Sequence, residues 1–206
     1  MNVFVISVLF VLAFGTALFF AALKRKMISA LNTHDLIVIA LMSSLLYAAG
    51  LPFKFGLGRL PFIHAFIYSV PFTAVLFIGI RVVPKAGAAT LIIVGHSLLS
   101  QLLSRGINPL WWPYPFLAGF VLESYFLITR SYLQTRLNAV CAGCLRGLVM
   151  YLYFYLVSAP FIWHMHYAPW YVFIQTAQGV AGSGIGALIG FALSKPILQA
   201  YRHGGI

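Results

Sequence analysis

Residues 2–26 read NVFVISVLFVLAFGTALFFAALKRK. The run over 2–23 holds no charge, and it ends on Lys24, Arg25 and Lys26. At 1.5 Å per residue it covers the ~30 Å hydrocarbon core of a bilayer as one helix. A cleaved signal peptide carries its positive charge before the apolar region, and here the charge follows it. The stretch therefore reads as a spanning helix whose N-terminus lies outside and whose basic end lies inside.

The rest of the chain repeats the pattern. Further apolar runs lie at about 35–50, 61–80, 86–103, 109–129, 138–160 and 169–194. Of the 206 residues, 62% are hydrophobic and 7% are charged, against ~25% charged in an ordinary soluble domain. The connections are short, so successive helices should pack antiparallel. The net charge of +11 comes from 13 basic residues and two carboxylates, Asp35 and Glu123. The basic residues stand singly between apolar runs and form no stripe, which excludes nucleic acid as a partner. With seven spans and the N-terminus outside, the inner segments hold Lys24, Arg25, Lys26, Arg81, Lys85, Arg130, Arg136, Lys195 and Arg202. The outer segments hold Lys54, Arg59 and Arg105, and Arg146 falls within a span. This excess on one side supports a plasma-membrane protein with a cytoplasmic C-terminus.

No Walker motif, nucleophile elbow or metal box is present, so nothing supports an enzyme or a bound cofactor. Cys141 and Cys144 form a CxxC inside an apolar run with no second pair beside it, and they read as small packing residues. His64 and His96 read as hydrogen-bonded helix residues. His164 and His166 flank Met165 and could hold a metal or haem iron, but two histidines make an incomplete site. Asp35 starts its helix, where a carboxylate favours the N-terminal dipole.

Glu123 and Arg146 are the ionisable residues inside the membrane. By their distances from the inner helix ends, ~10 and ~12 Å, they stand at similar depth on neighbouring helices. Either they form a salt bridge, because an unpaired charge there is costly, or Glu123 meets a cationic ligand. Two ladders of small residues recur at every fourth position: Ala40, Ser44 and Ala48, and Gly182, Gly186 and Gly190. Each could be packing within this bundle or a docking face for another membrane protein.

The aromatic residues are one-sided. All four tryptophans, Trp111, Trp112, Trp163 and Trp170, fall in the connections assigned outside, with Pro52, Pro61, Pro109, Pro113, Pro115, Pro160 and Pro169. An anchoring belt would enrich both interfaces. A stiff aromatic mouth instead suits stacking on a flat organic ring, with few polar groups for orientation. WWPYPF at 111–116 then supplies a wall through Trp112, Tyr114 and Phe116. Asn108, Trp163, His166, Tyr167, Trp170, Gln175 and Glu123 complete the candidate substrate contacts.

The segments ALMSSLLYAAG, LPFKFGLGRLPF, GIRVVPKAGAATLIIVGHSLLSQLL, GINPLWWPYPFLAGFVLESYFLI and QTAQGVAGSGIGALIGFALSKPI follow one another in this order. Over roughly 34–196 this pattern resembles the substrate-binding S components of energy-coupling factor (ECF) vitamin transporters. PKAGAA and GFVLESYF look most like the branch that handles thiamine and its hydroxymethylpyrimidine precursor. The resemblance implies an all-α membrane bundle with a six-helix core at 28–206. The helix within 1–27 is additional to that pattern. It further implies capture of a small aromatic nutrient at the outer face, then docking to a membrane coupling subunit driven by two ATPase subunits. The docking positions carried over are Ala40, Ser44 and Ala48, and a thiamine-like cation would make Glu123 a ligand contact. The competing expectations are a haem- or metal-handling membrane protein using His64, His96, His164 and His166, and a structural membrane subunit.

Overall fold

The computed structural model describes residues 3–27, 29–55, 63–104 and 106–203. The segment 56–62, with Arg59 and Pro61, lies outside the described residues, as does Arg105. Seven main helices run through the described residues: α1 (Val3–Lys24), α2 (Thr33–Phe55), α3 (His64–Val82), α4 (Ala88–Ser104), α5 (Pro113–Thr129), α6 (Arg136–Ile162) and α7 (Pro169–His203). A 3-10 turn at Pro109–Trp111 leads into α5. The helices α1, α2, α3, α6 and α7 are long and apolar enough to cross a membrane. α4 and α5 are shorter, at 17 residues each, or ~25 Å.

The centre of the bundle is held by close backbone approach. An added Cβ on Gly182, Gly186 or Gly190 would lie 2.6, 2.3 and 2.5 Å from the carbonyl oxygens of Phe66, Val70 and Ala74. Those three carbonyls also recur every fourth residue, so the glycine ladder of α7 is the seat of α3. The other flank of α7 receives α6, where Cβ atoms on Gly143 and Gly147 would reach the carbonyls of Ser183 and Gly179. The glycine ladder is thus engaged inside the bundle. Around this seam Leu46, Leu76, Phe77, Ile80, Ile92, Leu122 and Phe126 are fully buried.

α1 sits at the periphery. Only Val11 and Ala22 of its side chains are buried, and it rests on α5 through Phe14 against Phe120, ring centroids 6.1 Å apart. Its last turn is tied down by Arg25, which donates to the Leu127 carbonyl. α7 extends nine residues beyond the expected span, so Lys195 and Arg202 belong to a helix and not to a tail. At 35 residues, or ~52 Å, it outreaches the hydrocarbon core.

The polar helix ends are more engaged than topology signals need be. Asp35 forms a reciprocal cap with Asn32: Asn32 N–H donates to Oδ2 at 2.8 Å, and Asp35 N–H donates to Asn32 Oδ1 at 2.7 Å. The same Oδ2 accepts from Lys85 Nζ at 2.5 Å, which pins the start of α2 to the α3–α4 turn. Arg81 reaches across to α7, donating to the Phe191 carbonyl at 2.7 Å and to Ser194 Oγ at 2.5 Å. Asp35→Ala removes the carboxylate half of the cap together with the Lys85 pair and should therefore cost about 1–2 kcal/mol. Lys85→Ala loses a partly exposed pair and should cost less than about 1 kcal/mol. Thermal unfolding in detergent checks the order; an equal loss in the two variants would show that the ion pair, which both remove, carries the effect and that the cap adds nothing.

Candidate ligand-binding site

A cavity of about 410 Å³ opens among α3, α4, α5, α6 and α7 at one end of the bundle. That end is the one expected to lie outside from the basic residues. Each helix contributes a stripe set by its own period. α3 gives His64, Tyr68 and Phe72, four residues apart, and α6 gives Arg146, Met150 and Phe154 with Tyr151 and Tyr155. α7 gives Tyr171, preceded by Tyr167, and α4 gives Ile93, His96, Ser97, Ser100 and Gln101. Tyr114 and Ala118 come from the start of α5, and Trp111 from the 3-10 turn before it.

The rings brace one another. Trp111 stacks on Tyr114 at 4.4 Å, Tyr167 on Tyr171 at 5.4 Å, and His64 on Tyr68 at 6.0 Å. Tyr155 meets Tyr167 edge-on at 5.1 Å, and His96 meets Phe72 edge-on at 5.0 Å. Tyr151 is fixed at its hydroxyl, which donates to the Ala65 carbonyl at 3.0 Å and lies 3.0 Å from Ser69 Oγ. α6 passes through a π-helical turn at Phe154–Ser158 just before Pro160, and both Phe154 and Tyr155 of that turn face the cavity. Single π turns recur at functional sites because they re-aim adjacent side chains.

WWPYPF passes from a 3-10 turn into a helix: Trp111 ends the turn, Trp112 is the cap, and Pro113–Phe116 open α5. Pro113 occupies the first helical position, where its missing N–H is harmless and its fixed φ fits. Helical geometry then splits the motif. Trp111, Tyr114 and Ala118 face the cavity, while Trp112, Phe116 and Phe120 form a separate ladder with centroids 6.1 and 6.0 Å apart. The second ladder runs toward Phe14 of α1. Of the expected wall, Tyr114 lines the cavity, whereas Trp112 and Phe116 face the other way and Trp111 takes their place.

The other expected contacts divide similarly. Tyr167 lines the cavity. Trp163 is at its edge, meeting Trp111 edge-on at 6.3 Å. His166 and Trp170 are exposed and do not line it. Asn108 is a supporting residue: its side chain accepts from Leu110 N–H at 3.0 Å, and its own N–H donates to Gln101 Oε1 at 2.7 Å. Gln175 is 1% exposed, one turn beyond Tyr171 on the same stripe, and is not in the lining. Among the described residues no three His, Cys, Asp or Glu side chains converge on a common point.

Glu123 and Arg146 do not pair. The Glu123 carboxylate accepts from the Ala89 N–H at 3.1 Å, at the start of α4, where the free amides of a helix N-terminus suit an anion. It lines a different, apolar cleft between α1, α4 and α5. Arg146 turns inward from α6: Nη1 donates to Thr73 Oγ1 at 3.1 Å, and the guanidinium lies 4.3 Å over the Phe72 ring. Similar depth on neighbouring helices is a one-dimensional criterion, and the two side chains leave their helices in different directions.

No family model matches the chain, and no curated protein matches it. A solved structure described as an S-component of an ECF transporter superposes on it with a TM-score of 0.63 at 21% identity, covering 86% of this chain and 88% of that chain. The chain has an S-component fold. At this identity the likeness speaks for architecture, which agrees with the all-α membrane bundle expected from the sequence. The cavity residues outside the expected contacts include Tyr68, Tyr151, Tyr155, Tyr171 and Gln101, with Trp111, His64, His96 and Arg146 in new roles. A signal existed for some of them. Polar residues at 96, 97, 100 and 101 make one stripe on the largely apolar α4, and tyrosines at 151 and 155 lie one turn apart on α6.

Proposed function

We propose that this chain is the substrate-capturing membrane subunit of an ATP-driven ECF-type importer, acting by binding and not by catalysis. The observation that carries the proposal is the aromatic cavity at a single end of an S-component fold. Its volume suits a one- or two-ring nutrient, and its paired rings present faces on which a flat ring stacks. The ligand enters from the outer face, and the loaded subunit docks on a membrane coupling subunit powered by two ATPase subunits. Ala40, Ser44 and Ala48 support the docking step: all three are exposed along one stripe of α2, beside the exposed Ile37, Leu41 and Leu45. A stripe of small residues beside a larger apolar ridge fits a helix-on-helix contact in lipid.

A vitamin or vitamin precursor is the substrate class. The thiamine-like reading is supported by the sequence pattern around PKAGAA and GFVLESYF. The position of Glu123 weighs against its cationic form, because that carboxylate lines another cleft. Mass spectrometry of small molecules released from the purified protein tests the proposal directly. The expected result is a compound with a planar ring, retained through purification. If nothing is retained and no ring compound raises the unfolding temperature, the cavity is not a substrate site.

Trp111→Ala removes one member of the stacked pair beside the ligand space. It should weaken binding roughly three- to tenfold, the scale of one aromatic contact. Trp112→Ala, on the face toward α1, should leave affinity within about twofold. Equal losses in the two variants, measured by isothermal titration, would mean that the binding wall is not the one described.

A further inference from the structure

The two carboxylates of the chain are both engaged away from the cavity, Asp35 with Lys85 and Glu123 at the start of α4. Yet the cavity contains a guanidinium. Arg146 is 7% exposed, and its Nε has no hydrogen-bond partner among the described residues. Thr73 occupies Nη1, which leaves the edge of the guanidinium that carries Nε. That edge is the side-on fork that pairs with a planar carboxylate. A second donor stands in the same cavity wall. Gln101 is 9% exposed, and Nε2 also lacks a partner among the described residues. Its orientation is set by Asn108, whose N–H donates to Oε1 and thereby assigns the amide nitrogen to the other side. Buried donors normally have partners, and a buried cation without a counter-charge is costly. These are two unsatisfied N–H donors, one of them charged, in one aromatic cavity.

We infer that the cavity takes an aromatic acid: a ring that stacks in the aromatic part and an anionic group that accepts from Arg146, with Gln101 as the second donor. The inference rests on reading the cavity as the substrate site, and it narrows the substrate to anions. Arg146 supplies the counter-charge and Gln101 a neutral donor. Thr73 and Phe72 hold the guanidinium in place before the ligand arrives, which lowers the ordering cost of binding.

The test uses the full-length protein in detergent and three probes of one shape: 2-naphthoate, 2-naphthamide and 2-naphthylmethylammonium. Binding is read by quenching of tryptophan fluorescence and by the shift in unfolding temperature. The acid should bind more than tenfold tighter than the amide, with the ammonium weakest, as expected for a hydrogen bond made by a charged group in a buried site. Arg146→Gln should bring the acid down to the level of the amide, and Arg146→Lys should keep part of the preference. Gln101→Glu is the variant that preserves the fold. It keeps an acceptor for the Asn108 N–H while replacing the free N–H donor by a second oxygen. It should reduce acid binding more than tenfold and improve binding of the ammonium.

A preference for the amide or ammonium in the wild type would overturn the inference while leaving the cavity a substrate site. So would an acid preference that survives both Arg146→Gln and Gln101→Glu. If no probe binds, and the purified protein releases no ring compound, the substrate-site reading itself fails and the inference with it.

Discussion

Replacing Gly186 by leucine should prevent α3 and α7 from seating, and the protein should fail to accumulate or should unfold far below the wild type. An ideal Cβ at this position already lies 2.3 Å from the Val70 carbonyl oxygen, so even alanine requires the helices to separate. The opposing atom is backbone and cannot rotate away as a side chain would. Separation would also release Gly182 from Phe66 and Gly190 from Ala74, since the three contacts form one rigid seam. Overpacking at a single core site costs about 1–3 kcal/mol, and prying apart a whole seam exceeds that range. Against a total stability of about 5–15 kcal/mol, such a loss is large. Ala181→Leu is the matched control, since it adds comparable bulk to the same helix at an exposed position and should shift stability by less than about 0.5 kcal/mol. Yield and thermal unfolding in detergent measure both. Equal behaviour of the two variants would show that the seam tolerates expansion and that the close approach is not what holds the bundle.

Ser44→Trp should separate capture from transport. Ser44 is exposed at the middle of the small stripe, and its hydroxyl donates to the Ala40 carbonyl at 2.9 Å. Its polar group is therefore satisfied within its own helix, and a docked partner needs only the shape of the stripe. An indole there keeps a second helix from close approach while leaving the cavity, on other helices, untouched. Uptake of the native ligand by cells carrying the complete importer should fall about tenfold or more, because the contact depends on van der Waals fit. Ligand affinity of the isolated subunit should stay within about twofold. Unchanged uptake would remove α2 as the docking face. An equal loss of affinity would instead mean that α2 shapes the site.

The helical elements were readable from the chain because hydropathy is a one-dimensional property. Length and apolar content mark the seven segments, and the basic residues mark their ends. Pattern alone also gathered the tryptophans at one end. It could not assign WWPYPF to two opposite faces, because the start of α5 is set by Pro113 and the 3-10 turn before it, and the helical register follows from that start. Trp112 and Phe116 each stand two residues from Tyr114, and two steps along a helix turn a side chain by ~200°, onto the opposite face. His166 and Trp170 each stand next in sequence to a cavity residue, Tyr167 and Tyr171, yet both are exposed away from it.

Glu123 and Arg146 illustrate the remaining gap. Depth in the membrane can be counted from the helix ends, and by that count they match. Whether they meet depends on the rotation of α5 and α6 about their own axes. That rotation is fixed by contacts between distant residues: Gly143 and Gly147 against α7, and Gly119 against the Thr90 backbone. Hydropathy and charge along the chain suffice for an all-α membrane bundle, its helices and the end at which aromatic residues collect. Which faces meet follows from the packed bundle alone, because the azimuth of each helix comes from close packing between backbones far apart in the chain. That packing turned Glu123 toward the start of α4 and left Arg146 in the cavity without a carboxylate of its own.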